Sequence, residues 1–112
     1  MRQWLSWSED ERPTAVVAFN DFMAIGVMQA IQENGLRVGH DIAVTGFDDT
    51  HLVQYLSPPL TSVRQPIWEI GQKIMGMIVD LLEDRPLLYR YVLLVPQLIV
   101  RESSAFKFNN TK

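Results

Sequence analysis

Apolar and polar residues follow one another in blocks that predict strands and helices in alternation. An unbroken apolar run containing β-branched residues covers residues 14–19, which is typical of a strand buried on both faces. Asn20 and Asp21, both favourable helix N-caps, precede an apolar-periodic segment over residues 22–33. Gly35 then stops the helix, so this part of the chain predicts strand, polar turn, helix and glycine cap.

The same order of blocks repeats after this helix. Residues 42–47 form a second apolar strand ending in Asp48 and Asp49, which completes a βαβ unit. Residues 60–64 predict a third short strand, and a long helix with one apolar face opens at Gln65-Pro66. The pattern therefore indicates an α/β fold with a mainly parallel sheet.

The ends of the chain differ from the middle. Residues 1–12 predict the remnant of a preceding helix and a charged turn, and residues 106–112 predict a frayed polar tail. Two β-rich stretches, residues 91–95 and 97–100, are separated by Pro96. At 112 residues and 47% hydrophobic content, the chain is one small globular domain with a buried core.

Composition excludes several classes of function. The formal net charge of -3 gives no general attraction for nucleic acid or anionic lipid. The chain contains no cysteine, which rules out disulfides, thiolate nucleophiles and Cys-ligated metals, and is compatible with the reducing cytosol. Two histidines are too few for a histidine-built metal site, so we predict no metal and no cofactor.

Polar residues that follow the predicted strands are the candidates for chemistry, because ligands of open parallel sheets bind beyond the carboxyl ends of the strands. Asn20 is balanced between a helix cap and a ligand contact. Asp48, one of two adjacent carboxylates after an apolar strand, favours a functional role. Gln65 is a ligand candidate with a turn or surface role as its alternative, and these groups suit a neutral, hydroxyl-rich small molecule.

An enzyme is the least favoured interpretation of this sequence. Asp21, Asp48 and Asp49 could hold Mg²⁺ for phosphoryl transfer. The chain lacks a strand-end lysine, a phosphate loop and a nucleophile elbow. We therefore predict no catalytic residue and no enzymatic activity.

Four motifs carry a family resemblance. They are Pro13-Thr14-Ala15-Val16-Val17-Ala18-Phe19-Asn20-Asp21-Phe22-Met23-Ala24-Ile25-Gly26, Asp41-Ile42-Ala43-Val44-Thr45-Gly46-Phe47-Asp48-Asp49, Pro58-Pro59-Leu60-Thr61-Ser62-Val63-Arg64-Gln65-Pro66 and Leu98-Ile99-Val100-Arg101-Glu102-Ser103. In this order and spacing they resemble the C-terminal part of the effector-binding domain of LacI/GalR-type bacterial transcription regulators.

The resemblance implies a type I periplasmic-binding-protein-like fold, in which two α/β lobes close on a sugar or nucleobase-like effector. Residues 13–105 would be the C-terminal effector-binding and dimerisation lobe, a three-layer sandwich, with the N-terminal lobe and the helix-turn-helix domain absent from this chain. Asn20, Asp48 and Gln65 match effector-contacting positions, and Asp21 looks like the helix cap of its motif.

The resemblance also implies partners. A homodimer surface would contain Met23, Ala24, Gly26, Val27, His51, Tyr55 and Leu56. Operator DNA would be bound only through the absent helix-turn-helix domain, with no membrane partner and a cytoplasmic location. The alternative is a fragment of a periplasmic sugar-binding transport receptor, which shares the fold without operator control.

Overall fold

A computed structural model describes residues 2–5, 7–8 and 10–105 of the chain, and these form two compact units. The first unit comprises the described residues up to Arg64 together with those from Leu98 onward. The second unit is Gln65–Gln97, so the residues predicted as one lobe, 13–105, are distributed over both units. The predicted frayed tail, residues 106–112, lies outside the described residues.

Helices and strands follow one another as the sequence predicts. The helices are α1 (Arg2–Leu5), α2 (Asp21–Glu33), a 3₁₀ helix (His51–Tyr55) and α3 (Ile67–Leu82); the strands are β1 (Ala15–Val17), β2 (Ala43–Asp48), β3 (Thr61–Arg64) and β4 (Gln97–Ile99). In the described part of the chain, no helix combines the length and apolar character needed to cross a bilayer.

The four strands form one sheet in the order β1-β2-β3-β4, and β2 pairs in parallel with both β1 and β3. Residue Val17 of β1 faces Thr45 of β2, and Thr45 faces Thr61 of β3. Because β1, β2 and β3 run in parallel, the residues that follow these three strands emerge at one edge of the sheet. The predicted α/β class with a mainly parallel sheet is therefore confirmed.

The core of the first unit lies between α2 and the sheet. Its buried apolar residues are Leu5, Ala18, Ala24, Met28, Ala30, Ile31, Val38, Ile42, Val44, Val53 and Leu60. The spacing of the α2 members along the helix places them on one side, which explains why a 13-residue segment with polar residues on its other side folds here as a helix.

Strand β1 differs from its prediction. The sequence suggested burial on both faces, but Val17 and Phe19 are 85% and 83% exposed. Side chains alternate across a strand, so Ala18 enters the core while its two neighbours project from the opposite face. The apolar run therefore supplies one buried face and one exposed apolar face.

The second unit contains α3 and the segment after it. Residues 91–95, the first of the two β-rich stretches, have no regular secondary structure. No residue of α3 is fully buried, and its apolar side lines a groove of about 390 Å³ together with residues 91–94. The predicted apolar face of this helix is thus present but largely uncovered.

Ser103, close to the end of the described chain, joins β2 to β3. Its Oγ accepts a hydrogen bond from the Thr61 amide (2.8 Å) and donates one to the Val44 carbonyl (2.6 Å). Its backbone N–H donates to the Pro59 carbonyl (3.0 Å), and its carbonyl accepts from the Val44 amide (2.8 Å). The C-terminal segment is therefore built into the sheet that the earlier strands form.

We expect Gly39→Ala to lower the free energy of unfolding by about 3 kcal/mol, because strain and overlap act together. Gly39 has φ of +79°, and an added Cβ would lie 2.2 Å from the Glu102 carbonyl oxygen. Gly35→Ala is the matched control, since φ is +74° but nothing lies within 4 Å of the added atom. It should cost only about 1 kcal/mol. Urea unfolding followed by circular dichroism measures both, and equal losses would contradict the close approach.

Candidate functional site

Two of the predicted polar positions, Asn20 and Asp48, meet at the carboxyl edge of the sheet. Asn20 and Asp48 each lie three residues beyond the paired residues Val17 and Thr45 of neighbouring parallel strands. Asp48 is itself in register with Arg64 at the end of β3. The structure therefore brings an amide, a carboxylate and a guanidinium to one side of the first unit.

Asn20 is the N-cap of α2. Its backbone is extended, with φ of -149°, and its Oδ1 accepts a hydrogen bond from the Met23 amide at 2.9 Å. The expectation that Asp21 is the cap is therefore wrong: Asp21 is the first helical residue. Because the cap uses Oδ1, Asn20 would meet a ligand through the Nδ2 hydrogens of the same amide.

Asp21 is completely buried. Its Oδ1 accepts a hydrogen bond from the Ser62 hydroxyl at 2.6 Å, and its Oδ2 accepts one from the Thr50 amide at 2.7 Å. Gly46 makes room for this carboxylate, because an added Cβ would lie 2.4 Å from Oδ1. Asp21 therefore connects elements of the protein and does not face a ligand.

Asp48 and Asp49 both have left-handed backbones, with φ of 106° and 50°. A non-glycine residue rarely adopts this region, and its occurrence at the end of β2 marks a turn that surrounding contacts must hold. Asp48 is half-buried at the edge of the sheet. The two adjacent carboxylates thus occupy different environments, because the side chain of Asp49 is only 2% exposed.

Asp49 is held by two arginines. Arg101 donates from Nη1 to Asp49 Oδ1 and Arg64 donates from Nε to Asp49 Oδ2, both at 2.7 Å. Burial by itself raises the pKa of Asp49, but the hydrogen bonds from Arg101 and Arg64 outweigh it and hold the pKa below its usual value. Arg101 Nη1 also donates to the Leu60 carbonyl at 2.7 Å, which fixes the guanidinium.

The geometry does not favour the alternative of a magnesium site. Two of its three proposed carboxylates, Asp21 and Asp49, already accept hydrogen bonds from protein donors. Among the residues that the structure describes, no group of three or more His, Cys, Asp or Glu side chains is placed to hold a metal ion. Gln65, the third residue predicted to contact an effector, belongs to the second unit.

The predicted dimer surface is exposed or half-buried at every residue except one. Met23 on α2 is 56% exposed and Tyr55 on the 3₁₀ helix is 69% exposed. Gly26 and His51 are also exposed, and Val27 and Leu56 are half-buried. The prediction that Ala24 belongs to this surface is wrong. Ala24 is fully buried in the core, because its position on α2 faces the sheet.

Sequence reasoning missed the residues that organise this edge. Ser62 and Arg101 reach Asp21 and Asp49 from positions 41 and 52 residues away along the chain. A serine inside a short strand and an arginine near the chain end carry no local signal of such a role. Only the closing motif that contains Arg101 pointed to that region, through the family resemblance.

Comparison with known proteins places the chain in a family. A sequence family described as a periplasmic binding protein-like domain matches residues 1–104. The transcriptional repressor PurR of Vibrio vulnificus is 40% identical over 98 residues, which are 88% of this chain and 29% of the repressor. The chain therefore spans less than a third of the length of that relative.

Solved structures show the same relationship. A regulatory protein of the LacI family from Chloroflexus aggregans has a TM-score of 0.84 and 47% identity, over 91% of this chain and 36% of that one. The lac repressor dimer bound to operator and the anti-inducer ONPF has a TM-score of 0.81 and 38% identity, over 92% of this chain and 30% of that one. The chain belongs to the periplasmic binding protein-like domain family, in the form carried by LacI-type transcription regulators. The resemblance seen in the sequence motifs is thus confirmed.

We expect Asp49→Asn to lower the free energy of unfolding at neutral pH by about 2 kcal/mol, because it leaves the largely buried Arg101 without its charge partner. The lowered pKa means that Asp49 contributes its full stabilisation above about pH 4 and loses it as the pH falls through the folded-state pKa.

Denaturant unfolding between neutral and acidic pH measures this contribution. The unfolding free energy of Asp49→Asn should fall less steeply with acid than that of the wild type. Asp10→Asn, at an exposed carboxylate, is the control and should follow the wild-type curve. Parallel acid profiles for the wild type and Asp49→Asn would contradict the role assigned to the two arginines.

Proposed function

We propose that the first unit supplies one wall of the effector site of a LacI-type transcription regulator. The observation that carries this proposal is the parallel register that brings Asn20 and Asp48 to the same edge of the sheet. In open parallel sheets this edge is where ligands bind. The relatives support a regulator and not a transport receptor, since the compared proteins are transcriptional repressors and LacI-family regulators.

The effector is a neutral small molecule rich in hydroxyl or ring-nitrogen groups, such as a sugar or nucleobase. A carboxylate accepts two hydroxyl hydrogens and an amide Nδ2 donates to a hydroxyl or ring acceptor, so the pair can hold such a molecule in one orientation. Gln65 stays a sequence-based prediction as a further effector contact. The function needs no catalytic group and no cofactor.

Asp48→Asn and Asn20→Ser test the effector site with little change to the fold. Asparagine tolerates the left-handed backbone of position 48, and serine retains the helix cap of position 20. Loss of the charged acceptor should weaken binding about tenfold, and loss of the amide about fivefold. The measurement is a nuclear magnetic resonance titration of the chain with D-ribose, D-glucose and adenine, read at the amides of residues 20–23 and 48–50.

The controls separate binding from folding. Asp10→Asn should bind as the wild type does, and both site variants should unfold within about 0.5 kcal/mol of it, as is usual for substitutions outside the core. Amide shifts that persist unchanged in Asp48→Asn would place the ligand elsewhere. An absence of shifts with all three probes would count against an effector wall in this chain.

We also propose that α2 and the 3₁₀ helix form a homodimer surface. Met23 and Tyr55 expose large apolar side chains there, and the rings of His51 and Tyr55 lie 5.3 Å apart. Aromatic and methionine side chains are enriched in protein interfaces. The lac repressor structure is that of a dimer bound to operator, which supports the same assembly for the regulator proposed here.

Tyr55→Asp and Met23→Asp should each weaken self-association at least about tenfold, since they place a charge in a contact of apolar side chains. Sedimentation equilibrium over a range of protein concentrations gives the dissociation constants. Val17→Asp is the matched control, because it puts the same charge at an exposed apolar residue of β1. A wild type that stays monomeric, or an equal loss in the control, would argue against this surface.

In the intact regulator, operator binding would reside in a helix-turn-helix domain outside these residues, and the protein would act in the cytoplasm. Effector binding that favours one arrangement of the lobes would alter operator affinity through the dimer.

A further inference from the structure

The turn after β2 is anchored by two consecutive backbone N–H groups. The Asp49 amide donates to Ser62 Oγ at 3.0 Å, and the Thr50 amide donates to Asp21 Oδ2 at 2.7 Å. The Ser62 hydroxyl, which accepts from Asp49, donates its own hydrogen to Asp21 Oδ1 at 2.6 Å. Both anchors therefore end on one buried carboxylate.

These anchors hold a backbone that the residues themselves do not favour. Asp48 and Asp49 have φ of 106° and 50°, which costs free energy for side chains other than glycine. Without fixed partners for the N–H groups that follow, the turn would relax towards extended backbone. Such a change would swing the Asp48 side chain away from its present direction.

We propose that Asp21 is a positioning residue for Asp48. Asp21 is completely buried, so it acts through the backbone of the turn and does not itself contact an effector. The inference deepens the proposed function, on which it rests: a carboxylate presented in one fixed direction binds more tightly than one that must first be ordered.

The chemistry of position 21 is specific to a carboxylate. Two acceptor oxygens are needed, one for the Ser62 hydroxyl and one for the Thr50 amide. An asparagine offers a single acceptor oxygen, so one of the two anchors is lost. The absence of a side chain at Gly46 allows the carboxylate to approach, since a Cβ there would overlap Oδ1.

The first test needs no ligand. In Asp21→Asn and Ser62→Ala we expect the three-bond coupling between the amide and α hydrogens of Asp48 to move from its left-handed value towards that of extended backbone. Hydrogen exchange should accelerate at least about tenfold at the amide whose anchor is lost. In Asp21→Asn this is the amide of either Thr50 or Asp49, and in Ser62→Ala it is the amide of Asp49. The Val44 amide, which is bonded to the Ser103 carbonyl, reports on the sheet and should stay protected.

Conservative and control variants separate positioning from general stability. Ser62→Thr keeps the hydroxyl and should restore the wild-type coupling at Asp48. Asp10→Asn should change neither the Asp48 coupling nor the hydrogen exchange of the anchored amides. If Asp21→Asn does not fold, Ser62→Ala decides, because it removes only the Asp49 anchor. An unchanged Asp48 coupling in folded Asp21→Asn or Ser62→Ala would overturn the proposal.

The second test asks whether the conformation of the turn affects effector binding. Whichever of D-ribose, D-glucose and adenine binds the wild-type chain should bind Ser62→Ala about tenfold more weakly, and Ser62→Thr close to normally. Equal affinity in Ser62→Ala, together with a changed Asp48 coupling, would overturn positioning for effector binding. If the wild type binds none of the three probes, the proposed effector site fails, while the coupling still decides whether Asp21 holds the turn.

Discussion

Burial of the Asp21 carboxylate is the constraint around which the first unit is arranged. Removal of a carboxylate from water is strongly unfavourable unless donors meet its oxygens. Here a hydroxyl from β3 and an amide from the turn after β2 supply those donors, and a glycine in β2 provides the space. The start of α2, the ends of two strands and the start of the 3₁₀ helix therefore converge on one side chain. The geometry of the polar edge depends on that convergence.

Much of the fold could be predicted from the sequence, because strands and helices differ in the period of their apolar residues. The second strand and the helix α2 lie within one residue of their predicted bounds. The first strand was placed correctly but its burial was not, since an apolar run does not reveal whether both faces are covered. Residues 91–95 show the same limit, because β-branched and aromatic composition there did not lead to a strand.

The site was predictable in part. That polar residues after parallel strands meet at one edge follows from topology, and Asn20 and Asp48 do so. The sequence could not decide whether Asn20 or Asp21 caps the helix. Asparagine and aspartate are both favourable N-caps, and only the backbone φ and ψ angles show which of the two residues lies outside the helix. Ala24 was assigned to a surface although its neighbour Met23 is the exposed one, since adjacent helical residues point about 100° apart. The partners of the two buried carboxylates come from distant parts of the chain, where no local pattern marks them.

The position of Ser103 has a consequence for the order in which the protein is made. This residue, which bonds to β2 and β3, is among the last of the described chain to be synthesised. During synthesis the ribosome releases β1, α2, β2 and β3 first, with the Val44 amide and the Val44 carbonyl still lacking their final partners. The parallel sheet is complete only after the C-terminal segment leaves the exit tunnel and returns across most of the chain's length. The sheet of this unit therefore cannot be completed before Ser103 has been synthesised, and a chain that stops before Ser103 would lack the contact that closes the sheet.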